Sequence, residues 1–376
     1  METDQSGADG AMPKHRPQPP AARHAREVVG LYGDPDNTWG ICAELGLTEP
    51  VSVDELTRNL AALCAGRPLL GEPPIVRAVS SDAWDDARAD VASVPYADGE
   101  PLLRILLDSR GLRLLVGAHH GVVDGLGLVA VAAAALGRPI DSGAGGIGAR
   151  PARHGFLRSS LGRLVEAVFA PPSRFEPTTL VERRHGDGND RHEDLSLVRL
   201  DPGRRGTAAL AHAVLRVFED WSAGTRPLVV VGASRRSPGD LQPDRQTAFL
   251  RVQLRRRSTR DAVRAALAAV SPEPDFPVTS VGGVGPRVTH LLRRRLGATA
   301  LLSNLGMLDG RGLDYVAMFP AASGPRAVAI GLASTPRATV LSLHTRRADF
   351  SSADHAALLE ALVEKFSAEP GQSAAQ

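Results

Sequence analysis

The sequence predicts a mixed α/β fold, of the α+β type, arranged as two lobes of similar size. Three observations predict it. β-type apolar runs alternate with helical patterns in both halves of the chain, a polar stretch at Arg183–Asp194 separates those halves, and 376 residues with 43% hydrophobic content suffice for two cores.

The first element expected is a strand at Thr38–Leu47. Ser52-Val53-Asp54-Glu55 follows as a capping box, in which a hydroxyl and an acidic side chain three residues on satisfy the free N–H groups of a helix running to Ala65. Short β-type runs come next at Ile75–Ser80, Leu102–Leu107 and Leu112–Ala118, and the turn residues Asp108-Ser109-Arg110-Gly111 fold the last two into a hairpin. Leu126–Leu136 is apolar throughout and reads as a buried helix. Phe156–Phe169 has helical periodicity and is ended by Pro171-Pro172. The second half offers helices at Ala208–Asp220 and Arg260–Val270, strands at Leu228–Val231, Ala248–Leu254, Ala300–Ser303, Ala327–Ala333 and Thr339–Thr345, and a closing helix at Ser352–Phe366. The expected plan is a disordered tail at 1–25, an N-terminal lobe at 26–182, an exposed connection at 183–194, a C-terminal lobe at 195–367 and a second tail at 368–376.

Composition excludes several function classes. Positive charge is carried almost wholly by arginine, since Lys14 and Lys365 are the only lysines, and the net charge is only +2. The runs Arg255-Arg256-Arg257 and Arg293-Arg294-Arg295 are read as solvated faces and not as a nucleic-acid groove, because stacking aromatics are scarce at 4%. No membrane span is expected, as the longest apolar run falls short of the about 20 residues a bilayer requires. Cys42 and Cys64 make no disulfide framework, and the N-terminal region lacks the apolar core of a signal peptide, so a cytoplasmic protein is expected. His185, Asp187, Asp190, His192, Glu193 and Asp194 are metal-type ligands without metal-type spacing, and the expectation there is a solvated hinge and no metal. Gly282-Gly283-Val284-Gly285 lacks the spacing of a dinucleotide fingerprint and reads as a loop.

The chemistry concentrates in His119-His120-Gly121-Val122-Val123-Asp124-Gly125, between the predicted hairpin and the buried helix. Successive strand residues point to opposite faces, so only one of the two histidines can face a given cavity. An imidazole titrating near neutrality suits general acid–base work, whereas the plain alternative is a pair of core histidines bonded to backbone. Gly125 is expected to supply backbone freedom for a tight turn into the helix.

His-His-x-x-x-Asp-Gly resembles the signature of the chloramphenicol-acetyltransferase-like superfamily, which includes nonribosomal peptide condensation domains and stand-alone acyl-CoA acyltransferases. The likeness extends along the ordered chain. Thr38–Leu47 with its capped helix resembles the family's opening, Pro101-Leu102-Leu103-Arg104 the strand before the motif, Ser303-Asn304-Leu305-Gly306 its Ser-Asn-x-Gly element, and Ala327–Phe366 its closing strands and helix.

The resemblance implies a two-lobed fold with an active-site tunnel between the lobes. It implies an acyltransferase moving an acyl or aminoacyl group from a thioester to a hydroxyl or amine, in specialised-metabolite biosynthesis. His120 would be the catalytic base, with His119, Asp124 and Gly125 shaping its loop. Asp124 would be architectural, paired with an arginine. Acyl-CoA or the phosphopantetheine arm of an acyl carrier protein would be cosubstrate, the acceptor a small molecule, and no tightly bound cofactor would be needed. A non-catalytic module of the same fold, holding a carrier-bound intermediate, is the alternative.

The chain also departs from the family's patterns. Condensation domains carry Arg-His-x-x-Leu-Arg after the first helix, where this chain reads Gly66-Arg67-Pro68-Leu69-Leu70-Gly71, leaving Arg67, Arg77 and Arg104 as candidate partners of Asp124. The Asp-Phe-Gly-Trp-Gly motif of the plant branch and the Pro-Leu-Trp opening of the wax-ester branch are absent. Ser303 and Asn304 are candidates both for oxyanion donors and for strand-end turn formers.

Overall fold

A computed structural model describes residues 38–368, apart from 98–99, 177–191, 204–205, 238, 275–294, 296, 323, 325 and 327. The first half contains β1 (Gly40–Leu47), α1 (Val53–Gly66), β2 (Val76–Val79), α2 (Trp84–Ser93), β3 (Leu103–Asp108), β4 (Arg113–His119), α3 (Gly125–Leu136), β5 (Ile140–Ser142) and α4 (Phe156–Phe169). The second contains β6 (Glu193–Leu200), α5 (Thr207–Trp221), β7 (Leu228–Ser234), β8 (Thr247–Gln253), α6 (Arg260–Ala269), β9 (Ala300–Gly310), β10 (Leu313–Phe319), β11 (Val328–Ser334), β12 (Thr339–Arg346) and α7 (Ser352–Ser367).

Two sheets organise these elements. One has the order β10-β1-β4-β3-β2; the other runs β6-β12-β11-β9-β7-β8, with β5 paired to the far end of β9. The local signals act as expected: Ser52 accepts the Glu55 N–H at 3.2 Å at the start of α1, whose Leu56, Leu60 and Cys64 form its buried stripe. Asp108 Oδ1 accepts the N–H groups of Leu112 and Arg113 at 2.6 and 2.8 Å and so folds β3 onto β4.

β1 is buried along its whole length because both faces of the first sheet are covered. On one side Ile41, Ala43 and Leu45 meet α1 and α3; on the other Cys42 joins Trp84 and Val91 of α2, with Leu195 of β6 and Val340 of β12. Glu44, 1% exposed, is the polar exception on β1. Its carboxylate accepts from Trp84 Nε1, Arg88 Nη1 and Tyr315 Oη at 3.0, 2.8 and 2.6 Å, which fixes α2 against the sheet and satisfies a charge that burial would otherwise make costly.

The sequence-contiguous division into lobes needs correction. β10, at 313–319, pairs antiparallel with β1 and completes the first sheet, although it lies deep in the expected C-terminal lobe of 195–367. Hydrophobic patterning identifies a strand face but not its neighbour, so a crossing strand of this kind leaves no local mark. The connection expected at 183–194 lies largely outside the described residues, as do the expected tails at 1–25 and, after its first residue, 368–376. Its last two residues already belong to β6. Glu193 is no solvated hinge residue: it is 3% exposed and meets His344 Nε2 at 2.5 Å, while His344 Nδ1 meets the Pro320 carbonyl at 2.6 Å. With an acceptor at each ring nitrogen, His344 is held protonated; burial opposes the charge, but Glu193 outweighs it and raises the imidazole pKa. Among the described residues no group of side chains is arranged to hold a metal ion, and no helix is long and apolar enough to cross a membrane. The loop reading of 282–285 and the run 293–294 fall outside the described residues.

Candidate active site

The motif occupies the turn between β4 and α3. His119 is the last residue of β4, and the alternation of the strand turns it inward: it is 4% exposed, lies edge-on to Tyr96 with ring centroids 5.5 Å apart, and its Nδ1 accepts the Gly121 N–H at 3.2 Å. His120 begins the turn and faces the other way. Its backbone N–H is held by the Trp39 carbonyl at 2.8 Å, and Trp39 adopts a left-handed φ of 56° immediately before β1. A non-glycine residue in that region costs about 1–3 kcal/mol and is retained only where its surroundings fix it.

The His120 ring is half-buried on the wall of a cavity of about 200 Å³ between the lobes. Its Nδ1 lies 3.1 Å from the Val123 carbonyl oxygen. A carbonyl only accepts, so Nδ1 carries the proton, and neutral His120 presents an unprotonated Nε2. Burial lowers the pKa of this imidazole and Arg245 lowers it further, against the opposing pulls of the Val123 bond and Asp124. The ring is thereby kept in its basic form at neutral pH.

Asp124 makes no hydrogen bond to that ring among the described residues; it joins the lobes. Its carboxylate, 1% exposed, caps α3 by accepting the Gly127 N–H at 2.8 Å. From the second lobe it accepts Arg236 Nη1 on both oxygens at 2.8 Å, the Gln246 N–H at 2.7 Å and the Thr247 hydroxyl at 2.8 Å. Arg236 is itself 4% exposed and also donates to the Asp244 carboxylate at 2.6 Å and the Asp244 carbonyl at 2.7 Å.

The partner of Asp124 is therefore Arg236, and the three arginines expected for the role are elsewhere. Arg67 donates to Gln242, Arg77 is exposed on β2, and Arg104 binds the carbonyls of Val91 and Pro95 and the Glu100 carboxylate while stacking on Tyr96. Arg236, Asp244, Gln246 and Thr247 were not indicated by the sequence. Asp124 and Arg236 lie 112 positions apart, and one arginine among 42 (44 basic residues less two lysines) carries no distinguishing local pattern.

The expected use of Gly125 is also corrected. It is the first residue of α3 and has no positive φ; what it provides is space, since a Cβ there would lie 2.9 Å from Leu305 Cδ2. Gly127 is the more constrained position, because its Cβ would lie 2.4 Å from the Asp244 carbonyl oxygen, which is backbone and cannot rotate away. Gly127→Ala is accordingly expected to cost about 1–3 kcal/mol in denaturant unfolding, and Gly125→Ala less, because a leucine side chain can yield.

β9 supplies the opposite wall. Ser303 and Asn304 both line the cavity, but differently. Asn304 is committed to structure: Oδ1 accepts the Gly306 N–H at 2.9 Å and Nδ2 donates to Thr207 Oγ1 at 3.2 Å. The Ser303 hydroxyl, on a half-buried residue, has no such commitment among the described residues.

No protein-family model and no curated protein matches this sequence. Solved structures do match in fold. The first condensation domain of the calcium-dependent antibiotic synthetase superposes with a TM-score of 0.55 at 16% identity, covering 93% of this chain and 95% of that one. The EpoB cyclization-docking bidomain from Sorangium cellulosum gives 0.55 at 14% identity, covering 96% and 88%. The epimerization domain from the third module of tyrocidine synthetase B gives 0.52 at 12% identity, covering 88% and 90%. Together with the two-sheet topology, these likenesses show that the chain has the two-lobed α/β fold of condensation domains, the fold the motif implied.

Proposed function

We propose that the protein is an acyltransferase that moves an acyl group from a thioester, on coenzyme A or on the phosphopantetheine arm of a carrier protein, to a hydroxyl or amine of a small molecule. The observation that carries this reading is His120: a neutral imidazole on the wall of an interlobe cavity, with Nδ1 spent on the Val123 carbonyl and Nε2 left as a base. The acceptor's proton passes to Nε2 as its oxygen or nitrogen bonds to the thioester carbon. The tetrahedral intermediate then collapses, the carbon–sulfur bond breaks, and the proton passes from Nε2 to the departing thiolate. Ser303 supplies a hydrogen bond to the oxyanion, a contribution of about 2.7–4 kcal/mol when a donor is well placed. Asp124 and Arg236 hold the histidine loop against the second lobe and take no proton. A specialised-metabolite pathway is the setting this chemistry fits.

The test is to incubate the full chain with acyl-pantetheine thioesters and a panel of amines and alcohols and to weigh the products. An ester or amide whose formation depends on the protein is the expected result. Free acid alone would reassign the protein to thioester hydrolysis, and unchanged thioester throughout the panel would make it a binding module.

A further inference from the structure

We propose that the acyl group this protein accepts is uncharged and apolar, an aliphatic chain of about six to eight carbons, and not an aminoacyl group. This deepens the reading above and rests on His120 being the base. The cavity beside His120 is walled mainly by aliphatic side chains of both lobes, among them Ile41, Leu126, Val231, Leu267, Leu302 and Met318. Its polar side chains are almost all committed. All five bonds to the Asp124 carboxylate come from the protein itself, Thr247 and Arg236 are donors in that set, Ser234 Oγ accepts the Arg236 N–H at 3.0 Å, and Thr207 and Asn304 bond to each other. Arg236 Nε has no partner but also has essentially no accessible surface.

Among the described residues, His120 Nε2 and the Ser303 hydroxyl are in no bond within the protein, and both are needed at the reacting carbonyl; the Ser234 and Thr207 hydroxyls are each already acceptors of one bond. An α-ammonium group brought into this space would find no carboxylate with a free oxygen. Its remaining partners would be neutral hydroxyl oxygens, which do not balance the charge, or Nε2, and a bond there would remove the base from the reaction; a desolvated ammonium without a counter-charge is costly. An acyl chain carries no polar group beyond its carbonyl and meets the wall without such a conflict. Size follows from volume: an apolar cavity of roughly 150 Å³ takes benzene, with its six carbons. About 200 Å³ then suits a chain slightly longer, its thioester end toward the open side.

The probes are amide analogues of acyl-pantetheine, in which nitrogen replaces the thioester sulfur, titrated calorimetrically into the full chain. From acetyl to hexanoyl and octanoyl, Kd is expected to tighten by about three- to fourfold per methylene and then to stop improving by dodecanoyl. The decisive pair is 4-methylpentanoyl and leucyl, which share a carbon skeleton and differ by the ammonium group; the leucyl analogue is expected to bind at least tenfold more weakly. Gly232→Leu should move the optimum to shorter chains, since a Cβ at Gly232 meets nothing closer than 3.6 Å and a leucine there occupies cavity space. Equal or tighter binding of the leucyl analogue, or no dependence on chain length in the wild type, overturns the proposal. His120→Ala should keep the same order of affinities. Ordered binding without turnover in the wild type would refute the acyltransferase reading alone, and turnover with aminoacyl preference would refute this inference alone.

Discussion

Replacing His120 with alanine is expected to lower the rate of acyl transfer by about 10²–10⁴-fold while the protein stays folded. The ring is half-buried on a cavity wall, and its one bond among the described residues is to the Val123 carbonyl three residues away, so its removal leaves the sheets and the lobe contact untouched. The effect should fall on the chemical step. Single-turnover rates measured beside the affinity of an acyl-pantetheine amide separate the two, with rate lost and affinity retained. His119→Ala should behave in the opposite way. That ring is enclosed beside Tyr96 and holds Gly121 N–H, so its loss should appear first in stability.

Asp124→Ala is expected to cost about 3–5 kcal/mol of folding stability, measured by denaturant unfolding, because it leaves the Arg236 guanidinium buried without its main counter-charge. The same substitution removes the α3 cap and the bonds to Gln246 and Thr247, so the two lobes lose their shared anchor at the motif. Asp124→Asn keeps the size and one acceptor oxygen and should cost less. A role in relaying protons would instead abolish turnover in Asp124→Asn with stability unchanged. The geometry argues against that, since His120 Nδ1 bonds to Val123 and not to the carboxylate.

Much of the fold was legible because its signals are local. The Ser52 cap, the Leu56–Leu60–Cys64 stripe and the Asp108 turn each bring together residues within a few positions, and the all-apolar run at Leu126–Leu136 could be stable only as a buried helix. α2 was missed because its exposed face is acidic, and its burial rests on Trp84 and on Arg88 paired with Glu44, forty-four positions away. β6 was hidden by the polar stretch before it, and β10 by the fact that its partner, β1, lies some 270 residues earlier, as the Tyr315–Glu44 bond shows.

The site divides in the same way. The motif marked the loop, and strand alternation separated the two histidines. The residues that complete the site, Arg236 and Asp244 of the β7–β8 connection and Thr247 at the start of β8, are brought to Asp124 by tertiary structure alone. Gly125 and Gly127 were legible as glycines but not as contacts, since what each avoids is an atom of the other lobe.

The most direct measurement is the pH dependence of the single-turnover rate of acyl transfer in wild type and His120→Ala. A base works only when deprotonated, so the wild-type rate should fall as pH drops through the His120 pKa. Burial and Arg245 place that inflection below the ordinary imidazole value of about 6.5, with a plateau through neutrality. The inflection should vanish in His120→Ala along with most of the rate. An unchanged profile in that variant, at an unchanged rate, would contradict the assignment of His120 as the base.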